Sequence, residues 1–347
     1  MTILPTHAPL AVATRGDTVE SIHFGSVAVV DVDGRLRSFC GDPLTATFTR
    51  STLKPFQAIP FVRDGGIERF GYSQPQVALL CASHSGEPRH VTAAAQMLES
   101  AGNTSEHLQC GAHVPGFYEL RGEVPPPPPY SPLAHNCSGK HAGMLACCTL
   151  HGWSKEDYIG FGHPLQAQIR ATVADFTGVP AERLLRGVDG CSAPNYALPI
   201  AGLALAYARL ASAEGDDSRH GRAAARLRDA MAAHPGMVSG EGRSDLTLAL
   251  AGGGDWVPKI GAEGVQAIGI RSLGLGIAVK VGDGGKRALL PAVVAVLDQL
   301  GLLDTDRRKR LETMTGSTIR NYRGTATGRV EPMLVLDSPP SGTRDLP

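Results

Sequence analysis

The stretch Phe48-Thr49-Arg50-Ser51-Thr52-Leu53-Lys54-Pro55-Phe56-Gln57 organises the reading of this chain, because Ser51 and Lys54 stand at S-x-x-K spacing. On a helix, residues three apart share a face one turn from each other, so the Lys54 amine reaches the Ser51 hydroxyl and, when neutral, takes its proton. A lysine amine ordinarily ionises near about 10.4, whereas a base acting at neutral pH needs about 7 to 8. Burial or a second cation must supply that difference of roughly 4 kcal/mol. Pro55 biases its predecessor away from ordinary helical angles and Pro60 follows five residues later, so a helix here starts close to Ser51 and is short or distorted. Alone, the motif more often describes an N-capping serine with a solvated lysine one turn on.

The composition sets the class of partner. With 347 residues, 42% of them apolar and 19% charged, the chain has the make-up of a soluble globular protein with a sizeable core. Lys+Arg and Asp+Glu are equal at 33 each, without a long run of like charge, which speaks against nucleic acid or an anionic membrane and for a small substrate. Residues 1–14 hold no Lys or Arg and no sustained apolar run, and no window reaches the length of a membrane span, so the expected location is the cytoplasm. The seven scattered cysteines suit free thiols better than a disulfide framework.

Along the chain, residues 11–41 read as a β-meander turning at Asp33-Gly34, and residues 76–82 form a short apolar run that ends in Cys81-Ala82-Ser83-His84-Ser85-Gly86-Glu87-Pro88. Helices are expected over 89–100, over 163–178 with Pro164 in the first turn, up to about 212, up to about 233, and over 289–300. Residues 265–270 and 276–281 read as strands. The prolines at 125–129 form an extended connector. His135-Asn136-Cys137-Ser138-Gly139-Lys140-His141 then enters a short helix. A phosphate loop is excluded there, because Ala134 stands where the first glycine belongs and His141 replaces the magnesium-binding Ser/Thr. The last dozen residues read as a loose tail, giving one domain over 1–347 with its ordered core at about 9–335.

Five polar islands remain: Ser51/Lys54, Ser83-His84-Ser85, Cys137/Lys140/His141, Asp189/Cys191 and Lys259. An acyl-serine enzyme needs a nucleophile, an uncharged base, a second cation or proton relay, and oxyanion donors, and these islands hold the residue types for all four. Two lysines at one site would also disfavour each other's charge.

In order and register, Arg50-Ser51-Thr52-Leu53-Lys54-Pro55, the Cys81 to Pro88 block, Asn136-Cys137-Ser138-Gly139-Lys140-His141, Val188-Asp189-Gly190-Cys191-Ser192-Ala193-Pro194-Asn195 and Lys259-Ile260-Gly261-Ala262-Glu263-Gly264 resemble the asparaginase II family of Ser-Lys type, the rhizobial-type L-asparaginases. The resemblance runs from about Pro9 to Leu300. It implies a mixed α/β fold related to serine β-lactamases and penicillin-binding proteins, an antiparallel sheet with flanking helices, in a homodimer that hydrolyses L-asparagine to L-aspartate and ammonia. It also implies two catalytic pairs, Ser51 with Lys54 and Ser83 with Lys259. Arg50, His84, Ser85 and Asp189 would contact substrate, and Cys137, Lys140 and Cys191 would hold a zinc ion, structural or substrate-orienting rather than directly catalytic. Ser51 is the expected nucleophile, with Ser83 as the reverse assignment.

Each position also has a plainer reading: buried thiols for Cys137 and Cys191, a solvated helix-start lysine for Lys140, a structural hydrogen-bonder for His84, a turn residue for Asp189. Two other functions share parts of the pattern. A β-lactamase or transpeptidase would carry Ser-Asp-Asn and Lys-Thr-Gly where this chain has Ser83-His84-Ser85 and Lys259-Ile260-Gly261. A zinc-stabilised amino-acid-binding protein would bind asparagine without turnover. The Thr-Gly-Gly-Thr block of threonine-nucleophile asparaginases is absent.

Overall fold

The computed structural model describes residues 4–215 and 218–339. The tail expected over the last dozen residues therefore lies, from 340 onward, outside the described residues, as do Asp216 and Asp217 of the charged loop. The strands are β1 (Ala8–Arg15), β2 (Thr18–Asp31), β3 (Leu36–Cys40), β4 (Ala46–Phe48), β5 (Leu185–Val188) and β6 (Pro194–Pro199). They continue with β7 (Trp256–Gly261), β8 (Val265–Ile270), β9 (Leu275–Val281), β10 (Ser317–Arg320) and β11 (Ala326–Pro332). The helices are α1 (Lys54–Arg63), α2 (Gly66–Phe70), α3 (Gln74–Leu80), α4 (Pro88–Ser100), α5 (Gly116–Arg121), α6 (Ser138–His151) and α7 (Pro164–Thr177). After them come α8 (Ile200–Ala211), α9 (Gly221–Ala233), α10 (Pro235–Val238), α11 (Ser244–Gly252), α12 (Lys286–Gln299) and α13 (Thr305–Leu311). Two compact units result: a sheet unit of residues 1–52, 197–211 and 251–347, and a helical unit of residues 53–196 and 212–250.

The sheet unit is built on an eight-stranded antiparallel sheet in the order β10-β11-β1-β2-β9-β8-β7, with β3 also paired to β2. The β-branched run Val27-Ala28-Val29-Val30 of β2 is buried, as expected for a strand enclosed by neighbours and helices. Two glycines set how closely α8 approaches. A Cβ on Gly276 would lie 1.8 Å from the Ala204 carbonyl oxygen and one on Gly269 2.5 Å from that of Tyr207, so only glycine lets the helix lie directly on β8 and β9. Ile277, Val279 and Val281, on the other parity of β9, are buried too, and α12 packs against β9, β1 and β11. The strand β7, which carries Lys259, and the pair β10–β11 lie outside the strands read from the sequence.

The helical unit is organised around α1. Every residue from Lys54 to Val62 is buried, the mark of a helix enclosed on all sides rather than of a surface helix, and it packs against α6, α7 and α9. A 3₁₀ turn, Arg50–Leu53, precedes α1, so the predicted distortion takes the form of a tight turn followed by ten helical residues. Pro55 is tolerated because it sits in the first turn, where its missing N–H has no intrahelical partner to lose. The apolar run at 76–82 forms helix α3, which α6 approaches closely through Gly139 and Gly143, four residues apart on one face. A Cβ on Gly139 would meet the Leu79 carbonyl oxygen at 2.4 Å, and one on Gly143 would meet Leu80 Cδ2 at 2.3 Å. The Ser-Gly-Lys glycine is therefore a packing residue. Among the described residues no helix is long and apolar enough to cross a membrane.

Candidate active site

In the helical unit the chemistry gathers at the first residue of α1. The Lys54 side chain is 1% exposed, and its amine donates to the Ala82 carbonyl oxygen (2.5 Å), Ser83 Oγ (2.9 Å) and the Asn136 carbonyl oxygen (3.3 Å). Three acceptors for three N–H groups match an ammonium. A neutral amine would keep two N–H groups for the two carbonyls and turn its lone pair to the Ser83 hydroxyl. The expected partner of Ser83 was Lys259, whereas within this unit the serine is bonded to Lys54.

The Ser83 loop follows the C-terminus of α3 and is clamped along its length. Ser83 N–H donates to the Val238 carbonyl (2.9 Å), Ser85 N–H to that of Ser239 (2.8 Å), and Phe117 N–H to that of Ser85 (2.9 Å). The last residue of α10 and the one after it thus hold the loop by their carbonyls. Gly240 closes this clamp at φ +124°, and a Cβ there would strike Ser85 Oγ at 2.1 Å and Glu87 Oε1 at 2.5 Å. Glu87 is buried and accepts from Ser85 Oγ (2.7 Å) and Glu241 N–H (3.0 Å). Burial pushes the Glu87 carboxyl up, but those two hydrogen bonds and Arg89 outweigh it and hold the group below its ordinary value. His84 is fully enclosed. Its Nε2 pairs with Ser138 Oγ (2.9 Å) and its Nδ1 accepts from Gly86 N–H (3.1 Å). Burial, then the neighbouring His90 and Lys54, keep it neutral well below the usual histidine range.

A second buried cluster stands where Asn136-Cys137 leads into α6. The Lys140 amine donates to Cys191 Sγ (2.9 Å), and the Cys137 and Cys191 sulfurs share a hydrogen bond. That bond, with Lys140 and His141 nearby, drives the Cys191 thiol far below its ordinary value, while the bond and burial push Cys137 up. Lys140 is raised, because the sulfurs outweigh its burial, so the pair is a thiolate–ammonium pair. His141 donates or accepts at Tyr158 Oη through Nδ1 (2.6 Å), and its buried Nε2 is turned to the Cys191 sulfur without a hydrogen bond of ordinary geometry. Asp189 contributes charge to Lys140, while its own Oδ1 accepts from Gly190 N–H (2.9 Å) in the turn before Cys191.

Two sulfurs and a nitrogen are donors that zinc accepts, and the Cys191 thiolate is already in the ligating form. Lys140 would have to give up its proton. Among the described residues no group of three or more His, Cys, Asp or Glu is disposed to hold a metal ion, so the donor set depends on that lysine.

Ser51, Arg50 and Lys259 belong to the sheet unit. Arg50 adopts a left-handed backbone conformation (φ +50°), uncommon for a residue with a Cβ, and Ser51 follows it in the 3₁₀ turn. The turn is pinned from two directions. Thr52 Oγ1 donates to the Thr49 carbonyl (2.6 Å), and Tyr207 Oη of α8 donates to the Thr52 carbonyl (2.7 Å). The end of β7 passes so close that a Cβ on Gly261 would lie 3.0 Å from the Thr49 carbonyl oxygen. Arg50 also reaches Glu263 at 4.0 Å, another non-glycine residue with positive φ. Lys259 is fully buried in β7, and its amine donates to the Ile260 carbonyl (2.9 Å). Tyr207, Glu87, Gly240 and Asn136 were not singled out from the sequence. Glu87 and Asn136 stood within the Cys81 to Pro88 and Asn136 to His141 blocks without a role of their own, and Gly240 left a trace in the small-residue turn Ser239-Gly240-Glu241-Gly242.

Within the helical unit the buried side chains bring a lysine amine and a serine hydroxyl into hydrogen-bond contact. The sequence profile of the L-asparaginase II family matches residues 11–332, and the chain belongs to that family. No curated protein matches the chain. Among solved structures, Mglu in its native form is 16% identical with a TM-score of 0.38, covering 81% of this chain and 66% of its own. Mglu in its native form in the presence of 4.3 M NaCl gives 16% and 0.39 over 81% and 62%. Mglu in its glutamate form gives 15% and 0.38 over 80% and 61%. The chain thus spans just under two-thirds of the length of these structures.

Proposed function

We propose that this protein hydrolyses the side-chain amide of L-asparagine to L-aspartate and ammonia through an acyl-serine intermediate, with Lys54 as the proton carrier. The observation that supports this most is the buried 2.9 Å contact between Lys54 Nζ and Ser83 Oγ, and the family membership supplies the substrate. In its neutral form Lys54 takes the Ser83 proton as Oγ attacks the amide carbon. The resulting ammonium protonates the departing nitrogen, and ammonia leaves. Water then attacks the ester, gives a proton to Lys54, and Lys54 returns it to Ser83 as aspartate is released.

The family resemblance adds Ser51, paired with Lys54, and Lys259, paired with Ser83, to the proposed machinery, with Arg50, His84, Ser85 and Asp189 as the substrate contacts. The blocks that hold these residues in register support both assignments. Both ring nitrogens of His84 are engaged locally, which favours an orienting part for it over a direct one. Zinc, if bound, is held by Cys137, Cys191 and a deprotonated Lys140, and supplies a fixed positive charge that orders polar groups around it. A homodimer in the cytoplasm completes the reading. The test is ammonia release from L-asparagine by the wild type, Ser83→Ala and Ser51→Ala. Turnover by the wild type with a loss of about 10³-fold or more in Ser83→Ala is expected. A Ser83→Ala enzyme that keeps more than a tenth of wild-type turnover would overturn the role given to that serine.

A further inference from the structure

The turn that leads into α6 holds a histidine that the proposed reaction does not use. His135 has extended backbone angles, and its Nδ1 reaches over the next peptide to accept from Cys137 N–H (3.0 Å). This is the contact of an Asx turn, side chain to the N–H two residues on, made by a ring nitrogen in place of a carboxamide oxygen. One residue along, Asn136 N–H is taken by His113 Nε2 (3.1 Å), and His113 Nδ1 donates to the Val114 carbonyl (2.7 Å). The two rings lie 4.4 Å apart. Each accepts a backbone N–H, so each is a neutral imidazole with its proton on the other nitrogen: Nδ1 in His113, Nε2 in His135.

In His113 that proton has an acceptor. In His135 the Nε2–H makes no hydrogen bond among the described residues, although the residue is only 6% exposed. The Nε2 atom is not sealed from solvent, so this N–H opens onto space that a ligand atom can enter. The flanking residues locate that space. The Ala134 carbonyl oxygen lies against the Ser83 loop, 2.7 Å from where a Cβ on Gly86 would stand, and the Asn136 carbonyl accepts from the Lys54 amine (3.3 Å). The charges of Cys191 and Lys54 both act on the His135 ring. With Cys137 and Cys191 the ring is not disposed to hold a metal ion, so the open donor calls for a ligand of another kind.

We infer that His135 is a substrate-binding residue whose Nε2–H donates to the α-carboxylate of the amino acid. This rests on the amidohydrolase reading given above. The scissile amide must lie against Ser83 Oγ and Lys54, and His135 shares a hydrogen bond with neither, so the substrate oxygens left for this N–H are those of the carboxylate. Such a bond is charge-assisted. It is present in the bound substrate and in the transition state alike, so its loss appears in KM rather than in kcat.

Two substitutions separate this contact from a purely structural role. His135→Asn keeps an acceptor for Cys137 N–H and removes the Nε2 donor, whereas His135→Gln carries an amide N–H to the Nε2 position and gives up the turn. Ammonia release from L-asparagine and calorimetric titration with L-aspartate are read for both variants beside the wild type, with urea unfolding as the control on folding. His135→Asn should unfold like the wild type, raise KM and weaken L-aspartate binding at least tenfold each, and change kcat less than threefold. His135→Gln should bind L-aspartate more tightly than His135→Asn. The reverse order is what a turn residue gives and would overturn the inference. So would a loss below tenfold in His135→Asn, a loss carried by kcat, a His135→Asn chain that does not fold, or a wild type without saturable L-aspartate binding. A wild type that releases no ammonia refutes the amidohydrolase reading instead, and the L-aspartate titrations then decide whether His135 holds a carboxylate.

Discussion

Replacing Lys54 by methionine separates what the amine does for the reaction from what it does for the fold. Methionine keeps the length and apolar stem of the side chain, so packing within α1 is retained. Three contacts are lost, to Ala82 O, Ser83 Oγ and Asn136 O. Leaving the buried Ala82 carbonyl without a donor costs about 1–3 kcal/mol, and the half-buried Asn136 carbonyl adds less. Removing a charged group from a site only 1% exposed returns several kcal/mol of desolvation penalty. The two effects oppose each other at similar size, so the net change in unfolding free energy should be within about 2 kcal/mol. Catalysis has no such compensation, because methionine carries no proton, and loss of a general base typically removes about 10² to 10⁴ in rate. Urea unfolding of Lys54→Met next to its ammonia release from L-asparagine reads both quantities. Near-native stability with turnover at or below a hundredth of wild type is the expected pair. A folded Lys54→Met enzyme with more than a tenth of wild-type turnover would refute the reasoning.

Three further outcomes follow from the same geometry. Gly240→Ala combines a left-handed backbone with a Cβ 2.1 Å from Ser85 Oγ, so it should destabilise by about 2 kcal/mol or more in urea and lower kcat as the Ser83 loop shifts. The Glu87 carboxyl is held below its ordinary value in the fold, so its contribution to stability is fully present above the unfolded glutamate pKa and is lost as pH falls through the folded one. Unfolding curves from pH 7 to pH 3 should show Glu87→Gln with a shallower acid limb than wild type, and parallel limbs would contradict this. Dialysis against zinc followed by elemental analysis should give about one ion per chain in the wild type and a marked loss in Cys191→Ser, since that residue is the thiolate of the cluster. A wild type that stays metal-free would remove zinc from the reading.

The sequence carried some parts of this architecture openly and others not at all. The α7 boundary was legible because Pro164 opens the helix and Gly178 closes it with positive φ, both local signals. Strands β8 and β9 were legible from their β-branched runs. Strand β7 was not, because Pro258 and Lys259 interrupt its apolar pattern and burial of the lysine is a tertiary fact. The chemistry divides the same way. Ser51, Lys54, Ser83, Cys137 and Cys191 stood out by type and spacing, but the contact of Lys54 with Ser83 depends on α3, which ends beside the start of α1. Spacing along one helix pointed to Ser51, and no local pattern points across helices. The clamp by Gly240 and Glu241 was hidden for the same reason, being a match between backbone segments far apart in the chain.

The placement of β2 has a consequence for synthesis. From Gly25 to Asp31 its hydrogen bonds on one side go to β9, which the ribosome completes only at Val281. At about 5–20 residues per second the intervening quarter-thousand residues take roughly 12–50 s to emerge. For that interval the nascent chain holds Val27-Ala28-Val29-Val30, an apolar β-branched run with an open edge, while the helices from residue 54 onward are already available to condense. The middle of the polypeptide can therefore mature before its beginning. Until strand 275–281 arrives, that edge of β2 lacks the partner it has in the finished fold.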